Sequence, residues 1–320
     1  MELIYLDNNT KINDYLVATI GEFDGVHKGH LALLNKTLEI AEKEGLKKAV
    51  ITFDPHPNSV LLNETDTTYI TPFKEKKELF EKLGFDYLLV IKFSKEVSKI
   101  KPIDFIEKYL INNNVKFVVV GFDFCFGEKR SGTAFDIDTL SGGLIKTEIL
   151  ESINYESKKI ASSWVKKSLN NGDVELANKL LGRTFYIEGE VVYGKQIGRT
   201  INVPTANVSY DESYASLKTG VYACMVLIDD KKYPAITNIG HNPSFNYTSK
   251  RSLETHIINF DGDLYGKVIR VEFLKYLRNE EKFSDFDAFK TQIEKDKLAC
   301  LDIILKYEWL RWFYLQKISF

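Results

Sequence analysis

The chain has 320 residues, 44% hydrophobic and 28% charged, enough for two ordinary domains and too apolar for a disordered segment. A formal net charge of −2 excludes a global basic field for nucleic acid or for an acidic membrane surface. Three cysteines, Cys125, Cys224 and Cys300, are odd in number and far apart, which argues for reduced, buried thiols rather than a disulfide framework or a zinc knuckle.

The opening "MELIYLDNNTKIND" lacks the basic-then-apolar pattern of a secretory leader, and no window reaches the apolar length of a membrane span. A cytoplasmic protein is therefore expected. Residues 17–20 read as a strand, and 31–44 as a helix ended by Gly45. Strands follow at 47–53, 87–93 and from 116, with helices at 73–84 and 102–113 between them. Strands apolar on both faces and separated by helices predict a parallel sheet covered on both sides. Residues 172–182 read as a helix with Asp173 as N-cap and Gly182 just past its end. The pattern then changes. Alternating stretches at 185–193, 220–228, 233–239, 253–260 and 267–277, separated by Gly, Asp and Asn turns, predict a small β-barrel or sandwich. Helical spacing returns from Asp285. The aromatic-rich run 303–320 reads as an extension of that last helix. The domain boundary is expected near residue 182.

Two loops carry chemistry. In "GEFDGVHKGH" (21–30), Gly21, Gly25 and Gly29 lie between a strand and a helix N-terminus. Exposed N–H groups and the helix dipole make such a place an anion site, and glycines let a phosphate come close. His27 and His30, three apart, face the same side of the first turn. They suit stabilisation of phosphoryl oxygens, though zinc ligation or helix capping also fits the spacing. In "GKQIGRTINVPTANV" (194–208), Gly194 and Gly198 punctuate a loop, Arg199 supplies a cation, and Thr205 and Asn207 place two oxygens on one side of an extended segment. Such oxygens suit magnesium, and an unusual turn before a strand is the plainer alternative.

With "TFDPHP" (52–57), "GFDFCFGEKRSG" (121–132), "KKIASSWVKK" (158–167) and "GDVELANKLLGRTFYIEGEVVYG" (172–194), the first loop resembles the prokaryotic bifunctional riboflavin kinase/FMN adenylyltransferases, also called FAD synthetases. The second loop, "GVYA" (220–223), "TNIGHNPSF" (237–245) and "ETHIINFDGDLYGKVIRVEFLKYLRNEEKF" (254–283) resemble the same family's kinase motifs. The resemblance implies a Rossmann-like nucleotidyltransferase domain over 1–182 and a barrel riboflavin kinase domain with a terminal helix over 183–320. It implies phosphorylation of riboflavin to FMN by ATP, then adenylylation of FMN to FAD with release of pyrophosphate. Magnesium is the implied cofactor. Riboflavin, FMN, FAD and ATP are the implied partners, with neither nucleic acid nor membrane; the oligomeric state is not implied.

In the first half the resemblance gives His27 and His30 the catalytic role, and gives Gly21, Phe23, Asp24, Gly29, Asp123, Ser162, Ser163 and Lys166 contacts with nucleotide or metal. Trp164 and Lys166 depart from it, standing where the family carries Thr and Arg. Lys keeps the charge but loses the bidentate fork, and Lys158, Lys159 or Lys167 are substitutes. In the second half Glu254 takes the place of the general base. Thr205 and Asn207 would hold magnesium and phosphate; Gly194, Gly198 and Arg199 line the nucleotide; Arg278 and Phe283 lie by the flavin. Asn202 replaces a family glycine. Two rivals remain open: a riboflavin kinase whose adenylyl half is impaired, and a non-catalytic flavin- or nucleotide-binding regulator. His56, His241 and His256 have no assigned role.

Overall fold

A computed structural model describes residues 1–7, 10–62, 67–194, 204–241 and 251–317, the side chains of 241 and 307–317 excepted. Packing divides the chain into two compact units, Met1–Ser162 and Ser163–Phe320.

The first unit is built on six strands: β1 (Glu2–Leu6), β2 (Leu16–Ile20), β3 (Lys47–Asp54), β4 (Tyr87–Lys92), β5 (Val115–Gly121) and, past a short hairpin of β6 (Cys125–Phe126) and β7 (Gly132–Thr133), β8 (Lys146–Leu150). Their order is β1-β4-β3-β2-β5-β8, and every pair is parallel. The expected two-sided burial is present. On β4, Leu88 and Val90 pack with Leu34 and Phe80 from α1 (Lys28–Glu44) and, after the short α2 (Pro57–Leu62), α3 (Phe73–Lys82). Leu89 and Ile91 face the other way, onto Phe105, Ile106 and Ile137 from α4 (Pro102–Tyr109) and α5 (Ile137–Leu140). The edge strands β1 and β8 were not expected. Each is five residues with charges, and an edge strand lacks the continuous apolar run of a central one. The helix expected over 102–113 ends at Tyr109, where the Asn113 amide takes the Lys108 and Tyr109 carbonyls at 3.2 and 3.3 Å.

A two-strand ribbon, β9 (Asn154–Tyr155) and β10 (Lys158–Lys159), precedes α6 (Ser162–Asn170) and α7 (Val174–Leu181). Asp173 caps α7 by accepting from the Leu176 N–H at 3.0 Å, and Gly182 ends it at φ 75°, both as expected. The packing division at 162/163 differs from the change of pattern at 182. α7 belongs with the barrel, because the Asn178 amide donates to the Phe273 carbonyl at 2.9 Å and Glu175 pairs with Lys275 at 3.3 Å.

The second unit is a closed antiparallel barrel of β11 (Tyr186–Val192), β12 (Ala206–Tyr210), β13 (Gly220–Ile228), β14 (Lys231–His241), β15 (Arg251–Ile257) and β16 (Val268–Arg278), in the order β11-β12-β15-β14-β13-β16. The Thr237 and Thr255 hydroxyls meet at 3.1 Å in its interior. The terminal helix α8 (Phe286–Lys317) lays Ile293, Cys300 and Ile304 on Val221, Ala223 and Ile236 of the outer wall. All three cysteines are free; Cys224 and Cys300 are buried, whereas Cys125 is only partly covered.

Candidate active sites

The first site is the turn from β2 into α1, at the carboxyl end of the parallel sheet. α1 starts at Lys28, three residues before the apolar periodicity, because His27 is its N-cap. His27 Nδ1 accepts the His30 N–H at 3.2 Å. In the neutral ring the hydrogen is therefore on Nε2, which becomes a donor. The two imidazoles stack with centroids 3.6 Å apart and planes 15° from parallel. Gly29 makes room for this, since a Cβ there would lie 3.2 Å from His27 Cε1 and Nδ1. The capping alternative is thus correct for His27, whose Nδ1 faces the first turn of α1. Among the described residues, no group of three or more His, Cys, Asp or Glu is placed to hold a metal ion, so nothing supports the zinc alternative.

Other expected contacts turn out to support the loop. Phe23 is fully buried, backing His30 edge-on at 5.3 Å and Phe80 at 5.7 Å. Asp24 is 3% exposed, and its Oδ1 accepts the Ile70 and Thr71 N–H groups at 2.8 and 3.3 Å. Its carbonyl accepts the Ser162 hydroxyl at 2.8 Å, which ties the last residue of the first unit to the loop. Ser163 is exposed, and Lys166 lies one turn further along the helix. Gly21 covers the Phe23 ring, where a Cβ would sit 3.2 Å from Cζ. Asp123 stands just past β5 as an exposed carboxylate ion-paired with Lys159, one of the substitute cations. Sequence reasoning missed Lys76, 3% exposed, whose ammonium donates to the Glu22 carbonyl at 3.0 Å. Its only sequence signal is a lysine on the buried side of an amphipathic helix.

The second site lies across the barrel wall. The register aligns Asn207 on β12 with Glu254 on β15, Glu254 with Asn238 on β14, Asn238 with Val221 on β13, and Val221 with Arg278 on β16. Asn207 and Glu254 are direct neighbours, about 5 Å apart across the strands. Arg278 is in the same row but three strands from Glu254, roughly 14 Å at the usual strand spacing. Its guanidinium grips Asp296 of α8, with Nη2 2.8 Å and Nε 3.1 Å from the carboxylate, and lies 5.7 Å from the centre of the Phe283 ring. Arg278 thus ties α8 to the barrel, and the structure does not bring it to the Asn207–Glu254 pair. Sequence reasoning also missed Asn238 and Glu280, which hydrogen-bond at 3.1 Å beside Glu254. Gly198, Arg199 and Asn202 lie outside the described residues.

The donor set suits magnesium that arrives with a nucleotide. Thr205 and Asn207 offer hard oxygens, and the Asn207 amide is pressed onto Gly194, where a Cβ would fall 2.2 to 2.7 Å from all three amide atoms. The pair is uncharged, so phosphates must balance the cation.

An α/β unit with imidazoles at a helix N-terminus, joined to a barrel with a carboxylate beside neutral oxygens, has the make-up of a two-domain transferase of nucleotide phosphates. Family models described as FAD synthetase and Riboflavin kinase match residues 9–164 and 181–304. A Bacillus subtilis bifunctional riboflavin kinase/FMN adenylyltransferase is 39% identical, covering 88% of this chain and 90% of its own. The namesakes from Listeria monocytogenes and Escherichia coli K12 are each 36% identical, covering 93% and 88% of this chain and 96% and 91% of their own. A solved structure described as a macrolide-efflux protein from Streptococcus pneumoniae has a TM-score of 0.86 at 30% identity, covering 93% of this chain and 98% of that one. Among the described residues, no helix is long and apolar enough to cross a membrane. The chain belongs to the bifunctional riboflavin kinase/FMN adenylyltransferase family.

Proposed function

We propose that the chain makes FMN on the barrel wall and FAD at the helix N-terminus, with the parallel-sheet unit serving the adenylyl step and the barrel unit the kinase step. The chain is an enzyme that consumes riboflavin and ATP and forms FMN, then FAD.

In the kinase step the terminal ribityl hydroxyl of riboflavin attacks the γ-phosphorus of ATP. The new O–P bond forms as the bond to the β-phosphate oxygen breaks and ADP leaves. A neutral alcohol needs a base, and Glu254 takes its proton. Thr205 and Asn207 would hold magnesium, which neutralises phosphate charge when bound. The observation that carries this assignment is the β12–β15 register, which sets Glu254 directly opposite Asn207.

In the adenylyl step an FMN phosphate oxygen attacks the α-phosphorus of ATP and pyrophosphate leaves. The nucleophile is already an anion, so positioning and charge stabilisation suffice. His27 and His30 donate to the phosphate oxygens, while the Asp123–Lys159 pair borders the nucleotide. The free cysteines fit a reducing cytoplasm.

Trp164 and Lys166 favour a second reading, in which the adenylyl step is impaired. A chromatographic time course with riboflavin, ATP and magnesium separates the two. FMN followed by FAD supports the full reading. FMN that accumulates alone supports the impaired one. Neither product contradicts both.

A further inference from the structure

His256 takes up a task that the barrel's backbone leaves unfinished. The β12–β15 ladder ends at the pair Ala206–Thr255. One step further in the same register, Thr205 comes across from His256. There a side chain continues the connection, with His256 Nδ1 2.8 Å from the Pro204 carbonyl oxygen. A carbonyl only accepts, so Nδ1 carries the hydrogen and donates. Pro204 has no N–H, which leaves that carbonyl as its one backbone hydrogen-bonding group.

The ring is fixed in place. His256 is 6% exposed, and directly across the β14–β15 pair stands Ile236, which α8 covers. Burial pushes its pKa down and Lys297 adds to this, while the hydrogen bond to Pro204 and Glu294 oppose it. Thr255 points into the barrel, so Glu254 and His256, on either side of it, share the outer face with Asn207. The same strand therefore presents the base and, two residues on, a clamp on the segment that carries the neutral oxygens.

We propose that His256 is a positioning residue of the kinase step, its Nδ1–H holding Pro204 so that Thr205 and Asn207 stay set to bind the magnesium nucleotide. The proposal rests on reading the barrel as the kinase unit. The clamp serves bound substrate and transition state alike, so its loss raises KM for ATP more than it lowers kcat.

The test compares H256L, which has no donor, H256N, whose amide N–H replaces Nδ1–H, and H256Q, whose amide reaches to the Nε2 position instead. H256L and H256Q are expected to raise KM for ATP in FMN formation about tenfold, the size of one lost hydrogen bond, with kcat within about threefold. H256N should restore KM. Hydrogen exchange should rise across residues 205–210 in H256L and H256Q only. FAD formation from supplied FMN should stay at wild-type rate in all three, and a cooperative thermal transition of the barrel should persist, which shows that both units are folded. Equal KM values for H256N and H256Q would overturn the proposal even if H256L fails to fold. So would a fall in kcat at unchanged KM. A wild-type chain that forms no FMN would sink the kinase reading itself.

Discussion

The two units solve neighbouring problems in phosphorus chemistry with different backbone. The first sets two stacked imidazoles at a helix N-terminus, where the dipole favours an anion, and the adenylyl step proposed there needs no base. The second uses a row across a barrel wall, where Asn207 and Glu254 meet by strand register. The difference follows the nucleophile. A phosphate needs its repulsion quenched, whereas an alcohol needs a proton removed. A helix end supplies the first, and a carboxylate on a rigid strand supplies the second.

That contrast is open to attack one residue at a time. Glu254→Gln keeps the shape and removes the proposed base, so FMN formation should drop by about 10²- to 10⁴-fold in a steady-state assay while FAD formation from FMN holds. His30→Ala removes a proposed donor to developing charge. It should cost FAD formation about 10²- to 10³-fold and spare FMN formation. Gly194→Ala drives a Cβ into the Asn207 amide, at 2.2 Å from Nδ2. A displaced amide should slow FMN formation by up to about 10²-fold, read from kcat/KM for ATP. Asp296→Ala removes the buried carboxylate from the partly buried Arg278 guanidinium and should destabilise the barrel by about 2 kcal/mol in denaturant titration, leaving the first unit's transition in place. The smallest effect concerns acid. Burial lowers the His256 pKa from 6.5, so the unfolded chain takes up that proton first. Barrel stability should therefore fall as pH drops below 6.5, checked by thermal unfolding of wild type against H256N.

What the sequence discloses here depends on range. Sheet, barrel and the glycine loop at 21–30 are local patterns, and they are in place. Asp173 and Gly182 end α7 where their side-chain chemistry requires. The corrections concern partners far along the chain. Asp24 binds the backbone at Ile70, His256 the carbonyl of Pro204, and Arg278 the carboxylate of Asp296. No spacing rule reaches across such separations, and only the fold brings those groups together. Phe23, named by the motif, has its side chain buried edge-on to His30.

The central claim is that two independent sites act in one chain. The most direct measurement scores FMN and FAD separately for wild type, His30→Ala and Glu254→Gln, each supplied first with riboflavin and then with FMN. The account predicts that His30→Ala stops at FMN, and that Glu254→Gln makes FAD only when FMN is supplied. Equal loss of both steps in both variants would contradict it.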